Sequence, residues 1–267
     1  MSSQSISIPR LSAGQTIRLY RNEAKYEFLK TLRMPAYVIP TLCFPLAFYV
    51  MFGLIFNRGQ HLNSVTVSTY MLATYGAFGV IGASMFGFAV GISQERGFGW
   101  LQVKQASPMP PLAYLTAKTV MSMAFSGIVV LAMLALGIEF GGVNLPAMQV
   151  FKLLAILVLG SIPFGALGLA IGCWCAPNSA PAVVNLIFLP LSFCSGLWIP
   201  AGLLPKVLEK SAVFMPPYHL GQLALRYTGA SGTGSALQHA LSLAAFTVVF
   251  LWLARRGFAR QDAKMYG

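Results

Sequence analysis

The chain has 267 residues, 57% of them hydrophobic and only 9% charged, with a mean hydropathy of +0.70. Soluble domains carry about 25% charged residues, so this composition excludes an ordinary soluble enzyme and describes a membrane protein. The formal net charge of +12 reads as topology and attraction to anionic membrane lipids, not as a nucleic-acid footprint.

Residues 1–34 are polar and basic, with no apolar core leading to a small-residue cleavage site, so no removable signal peptide is read there. Ile17, Tyr20, Ala24, Phe28 and Leu32 recur at helical steps, with Arg18, Arg21, Lys25 and Lys30 between them. That spacing predicts an amphipathic helix lying in the headgroup plane, a soluble surface helix being the competing reading.

Six apolar segments follow, near Pro35–Phe56, Thr66–Ile92, Thr119–Ile138, Leu153–Trp174, Ala180–Pro200 and Ala240–Ala254, none of them holding Asp, Glu, Lys or Arg. A helix rising 1.5 Å per residue crosses about 30 Å of hydrocarbon in about 20 residues, which predicts an all-α membrane protein of six transmembrane helices spanning residues 35–256. Lipid offers no partner to open backbone groups, and the segments lack the two-residue alternation of barrel strands. Gly87 and Gly91 in the second segment form a G-x-x-x-G that predicts close helix contact.

Thirteen of the eighteen Lys and Arg residues fall in the N-terminal tail, in the second-to-third connection, and in or just before the tail 257–267 (Arg255, Arg256, Arg260 and Lys264). The other side keeps Arg58, Lys152, Lys206, Lys210 and Arg226. Positive residues stay on the cytoplasmic side, so both termini are expected in the cytoplasm.

Between the second and third segments lies a loop, 93–118, that opens with Glu95 and Arg96. Gly97 and Gly99 permit a sharp exit from the second span, Trp100, Leu101 and Val103 suit a short helix, and Ser107-Pro108 and Pro110-Pro111 stop it. A plain charged loop is the competing reading. A second interrupted stretch, 196–226, is semi-apolar and broken by Pro200, Pro205, Pro216 and Pro217, too interrupted for a span. It fits either a re-entrant segment or a structured loop.

The run QERGFGWLQVKQASPMPPLAYLTAK, Gln94 to Lys118, resembles the glutamate-containing loop of the ABC type 2 permeases, the membrane subunits of two-component ATP-driven exporters. That resemblance implies a coupling helix docking in a separate ATPase subunit, with Glu95, Arg96, Gly97, Trp100, Ser107 and Pro108 at the docking end and Lys118 closing the motif. The run Ser195 to Arg226 is similar to the family's segment after the fifth span, with Gly196, Pro200, Pro205, Pro216 and Arg226 at its spacing. It implies a re-entrant helical pair near the outer surface. The resemblance covers essentially the whole chain and implies a bacterial inner-membrane location, pairing with a second copy, two ATPase copies, and ATP and Mg bound on those partners.

What the chain lacks points the same way. It holds no G-x-x-x-x-G-K-[ST], so it has no phosphate-cradling loop of its own, and it shows no H-E-x-x-H and no G-x-S-x-G. No carboxylate or lysine sits inside a span, where carriers and pumps place an ionisable group. Catalytic residues, cofactors and metal ligands are therefore expected to be none in this chain. Cys173 and Cys175 read as packing residues, and His61, His219 and His239 as scattered surface or interfacial ones. Asn185, Ser192 and Ser195 share one side of the fifth segment, either lining a pathway or packing helices. The expected function is a permease subunit for an amphipathic, lipid-linked or drug-like substrate, the alternatives being a self-contained secondary carrier or a non-transporting assembly subunit.

Overall fold

The computed structural model describes residues 12–57, 59–62, 64–107, 109–230 and 232–266; Arg10, Arg58 and Pro108 lie outside them. The described chain is mostly helical. Helix α1 (Ala13–Leu32) opens on a capping box, the Gln15 N–H donating to the Ser12 hydroxyl and the Ser12 N–H to the Gln15 side chain. It stops before Met34-Pro35, because a residue preceding proline is pushed out of the helical region. Pro35 then opens α2 (Pro35–Phe48), which continues as π-helix over Tyr49–Phe56. A two-residue hairpin, β1 (His61–Leu62) with β2 (Val65–Thr66), leads into α3 (Val67–Gly97).

At 31 residues α3 is about 46 Å long, and it runs five residues past the predicted exit at Ile92. Nothing between Ile92 and Gly97 breaks a helix, so Glu95 and Arg96 stand on its last turns and not in a loop. The chain reverses at Phe98-Gly99, Gly99 taking the left-handed conformation at φ +74°. The short helix α4 (Trp100–Ala106) follows where it was expected. Helix α5 (Pro111–Phe140) starts eight residues before the predicted Thr119, since Pro111 suits the first helical position. Lys118 is thereby brought inside a helix.

Helices α6 (Ala147–Leu159) and α7 (Ser161–Trp174) join across Gly160 into one apolar stretch. Helix α8 (Ala180–Cys194) is followed by a 3₁₀ turn at Ala201–Leu203, then α9 (Lys206–Ala212), α10 (Pro216–Tyr227) and α11 (Ala236–Tyr266). Among the described residues five helical stretches are long and apolar enough to cross a membrane: Pro35–Phe56, Val67–Gly97, Leu112–Phe140, Ala147–Trp174 and Ala236–Arg260. The predicted fifth span is helical only over the 15 residues of α8, about 22 Å.

Helix α3 is the central post, packed by α2, α5, α7, α8 and α10. Its Tyr75, Phe78, Ile81 and Met85 build the core with Phe164 of α7, Phe188 of α8 and Leu220 of α10. The closest backbone approach comes from α7 and not from the glycines expected on α3. A Cβ at Gly168 would lie 2.7 Å from the Met85 carbonyl oxygen, and one at Gly172 would lie 2.9 Å from that of Ala89. Helix α1 lies along α5 and buries part of its polar side, leaving the two ends of its apolar stripe outward. Ile17 and Leu32 are exposed, whereas Glu27 and Thr31 are buried.

Candidate functional site

The inward face of α1 is what its charges are for. Glu23, Glu27 and Lys30 stand at steps of four and three, so they share one side of the helix. Tyr114 and Lys118, four apart on α5, face them, and Glu95 enters from the end of α3. Lys118 is fully buried, and its Nζ lies 2.6 Å from Glu27 Oε1 and 3.2 Å from Glu95 Oε1. Lys30 pairs with Glu95 and lies 3.6 Å from Glu27 Oε2. The Tyr114 hydroxyl donates to the second Glu95 oxygen. Just outside, Lys104 of α4 pairs with Glu23 and sits 4.8 Å above the Tyr114 ring.

Burying one charge from this set alone would cost several kcal/mol. Two carboxylates meeting two ammonium groups, the half-exposed Lys30 among them, offset much of that cost, and Gly91 leaves the space: a Cβ there would lie 3.1 Å from Lys118 Nζ. Burial opposes the charge on Lys30, yet the Glu27 and Glu95 carboxylates outweigh it and hold its pKa above the ordinary 10.5. The cluster therefore ties three elements, α1, α3 and α5, with α4 attached through Lys104.

The residues expected at the docking end divide into two groups. Glu95 is spent inside the cluster, the Arg96 guanidinium donates to the Gly172 carbonyl, and Gly97 lies against Pro177, whose Cγ is 2.2 Å from where a Cβ would stand. Trp100 points outward with Phe98 and Val103, each at least 60% exposed. Ser107 is exposed and donates to the Lys104 carbonyl at the end of α4.

At the other end, Gly196 turns left-handed after α8 at φ +80°, Pro200 precedes the 3₁₀ turn, and Pro205 and Pro216 lead into α9 and α10. Arg226 donates to the Gly234 carbonyl. Two residues read as scattered meet here, His219 Nδ1 lying 2.8 Å from His239 Nδ1. Of the three candidate pathway residues, Asn185 lines a groove between α2, α3 and α8, while Ser192 and Ser195 are buried in packing. Glu27, Lys30, Tyr114, Glu23 and Lys104 escaped sequence reasoning. Their signal was rarity: the chain has six acidic residues, and half of them gather at this cluster.

Comparison with known proteins adds the context. Residues 20–228 match the family described as ABC-2 type transporter. A curated relative, the "Putative transport permease YvfS" of Bacillus subtilis (strain 168), is 24% identical over 237 residues, which cover 89% of this chain and 96% of the relative.

Proposed function

The chain belongs to the ABC-2 type transporter family, and from that premise we propose that it is the membrane subunit of an exporter in the bacterial inner membrane, driven by a separate ATPase. Two copies of the chain form the pathway, and two ATPase subunits, which bind ATP and Mg, dock on α4. The distribution of Lys and Arg supports placing both termini, α1 and α4 on the cytoplasmic side. Helix α8 with the residues after it completes a sixth crossing. Helices α9 and α10 fold back as an outer re-entrant pair shaped by Gly196, Pro200, Pro205, Pro216 and Arg226. The exposed faces of α2 and α8 receive the second copy, and an amphipathic substrate passes between them.

The observation that carries this reading is the buried ionic cluster. Helix α4 presents exposed Trp100 to a partner and is joined to α1 through Lys104 and Glu23, while Glu95 holds the neighbouring end of α3 to the same helix. Helix α1 runs directly into α2, which walls the groove. A push on α4 therefore reaches α2 through packed, paired groups, as a mechanical coupling requires. Glu95 and Arg96 act as positioning residues and Trp100 as a contact residue.

Co-purification with a cognate ATPase subunit tests it. Trp100→Asp should weaken ATPase binding at least tenfold, whereas Glu95→Gln should keep binding and lose ATP-driven transport in proteoliposomes. Undiminished binding by Trp100→Asp overturns the docking assignment. Transport that persists without the ATPase makes the chain a carrier, and an ATPase complex that moves nothing makes it an assembly subunit.

A further inference from the structure

Two recesses lie end to end along the first span. One, of about 730 Å³, sits between α1, the start of α2 and the ends of α3 and α4. The other, of about 510 Å³, is the groove between α2, α3 and α8. Both sizes are those of small-molecule sites. Met34, Tyr37, Phe86, Val90 and Gln94 line both, so the two spaces adjoin.

Their chemistry differs sharply. The first recess is charged: Glu23, Glu27 and Glu95 line it with Lys30, Lys104 and Arg33. The three carboxylates are taken by three lysines, Lys30, Lys104 and the buried Lys118 behind them. Of the cations lining the recess, Arg33 alone has no carboxylate partner among the described residues, which leaves one uncompensated positive charge. Exposed Tyr26, Phe98 and Trp100 rim it, as amphipathic rings do at a membrane–water boundary. The second recess carries no charge and is walled by Phe44, Phe78, Phe188 and Leu189, with the Asn185 amide.

We propose that the two recesses form one site for a single-chain amphiphile with an anionic phosphate head. The head sits at Arg33, where the planar guanidinium suits a bidentate phosphate contact. The chain lies between the aromatic walls of the groove formed by α2, α3 and α8. This assignment rests on the reading of the protein as a transport subunit and specifies what that subunit carries. It also explains why the site straddles the junction of α1 and α2: movement of α1 displaces the head, and movement of α2 displaces the chain.

Equilibrium binding to the purified full-length chain in neutral detergent tests the site without the ATPase. The probes are farnesyl phosphate, farnesol, dodecyltrimethylammonium and inorganic phosphate. Farnesyl phosphate should bind at least tenfold more tightly than farnesol or the cationic amphiphile, and inorganic phosphate alone should not bind measurably. Arg33→Gln should bring the farnesyl phosphate to farnesol ratio close to one, and Arg33→Lys should restore part of it. Ala36→Trp, on the exposed first turn of α2, should weaken both chain-bearing ligands about tenfold. Equal binding of phosphate and alcohol, or a ratio indifferent to Arg33, overturns the proposal. Binding as described with no stimulation of an ATPase partner supports the site and counts against the exporter reading instead.

Discussion

The α1–α4 end of the molecule and the α10–α11 end both bury polar side chains, by opposite means. At the first, Glu27 and Glu95 face Lys30 and Lys118, full charges that cancel. At the second, two like groups touch: the Nδ1 atoms of His219 and His239 are 2.8 Å apart, and His239 Nε2 lies 2.6 Å from the Thr233 carbonyl oxygen. A carbonyl only accepts, so His239 Nε2 carries hydrogen, its Nδ1 is the acceptor, and His219 Nδ1 donates. That arrangement holds with both rings neutral. Tyr218 and Gln222 add bonds from α10 to Thr233. Opposed charges tolerate burial over a wide pH range, whereas like groups tolerate it only while unprotonated. Lys30, half-exposed at the open side of the cluster, shows the sign: with a folded pKa above the ordinary 10.5, its contribution is complete below that pH and lost only as pH rises through the raised value.

Removing one charge should break the first arrangement most severely. Lys118→Met leaves two buried carboxylates with Lys30 alone, and a broken buried pair costs about 3–5 kcal/mol. Denaturant unfolding in detergent should show that loss. Lys118→Met with Glu27→Gln restores the charge balance, because Glu95 keeps Lys30, and should recover a large part of it. A double variant no better than the single one would show that Lys118 serves by its shape and not by its charge.

The second arrangement should respond to pH instead. Burial, and after it the neighbouring His239 ring, holds the His219 pKa below the ordinary 6.5, against a backbone bond with Val213 that works the other way. The unfolded chain then binds more protons at and below pH 6.5, so the stability present above that pH is lost as pH falls toward the depressed folded value. Unfolding midpoints measured from pH 8 down to pH 5 should fall in the native protein and flatten in His219→Phe. A native midpoint that does not fall removes the contrast between the two ends.

Much of the fold could be read from the chain because apolar runs, prolines and glycines act locally. The spans are legible as uncharged stretches and α4 as the piece between Gly99 and Pro110, whereas the two short helices α9 and α10 were implied by the family resemblance, the prolines alone leaving a structured loop open. Helix ends were less legible: α3 and α5 run on past their apolar cores into Glu95 and Lys118, since a charge next to a span does not stop a helix. The site was half legible. Glu95 and Lys118 stand out in the loop motif, but their partners lie 65 and 91 residues away in sequence, on the polar side of a helix where periodicity marks only the apolar stripe. Periodicity finds a face; only the facing helix decides which one is buried. The histidine pair, 20 residues apart across a turn, was legible only as two separate residues.

The smallest expected effect lies at the edge of the ionic cluster and tests whether burial is what separates its members. Lys104 and Glu23 make an ion pair as Lys118 and Glu27 do, but their side chains retain 28% and 23% of their exposure, against 0% and 5% for the buried pair. Water already solvates both partners, so breaking this contact strands no buried charge. Lys104→Met should therefore cost about 0.2–1 kcal/mol, the range of exposed pairs, in the same unfolding measurement. Its mark should be local: faster amide exchange in Trp100–Ala106, because Lys104 is the group that pins α4 to α1. Lys104→Glu with Glu23→Lys should slow that exchange again. A loss as large as that of Lys118→Met would mean that charge pairing alone, whatever its depth, holds this end of the molecule together.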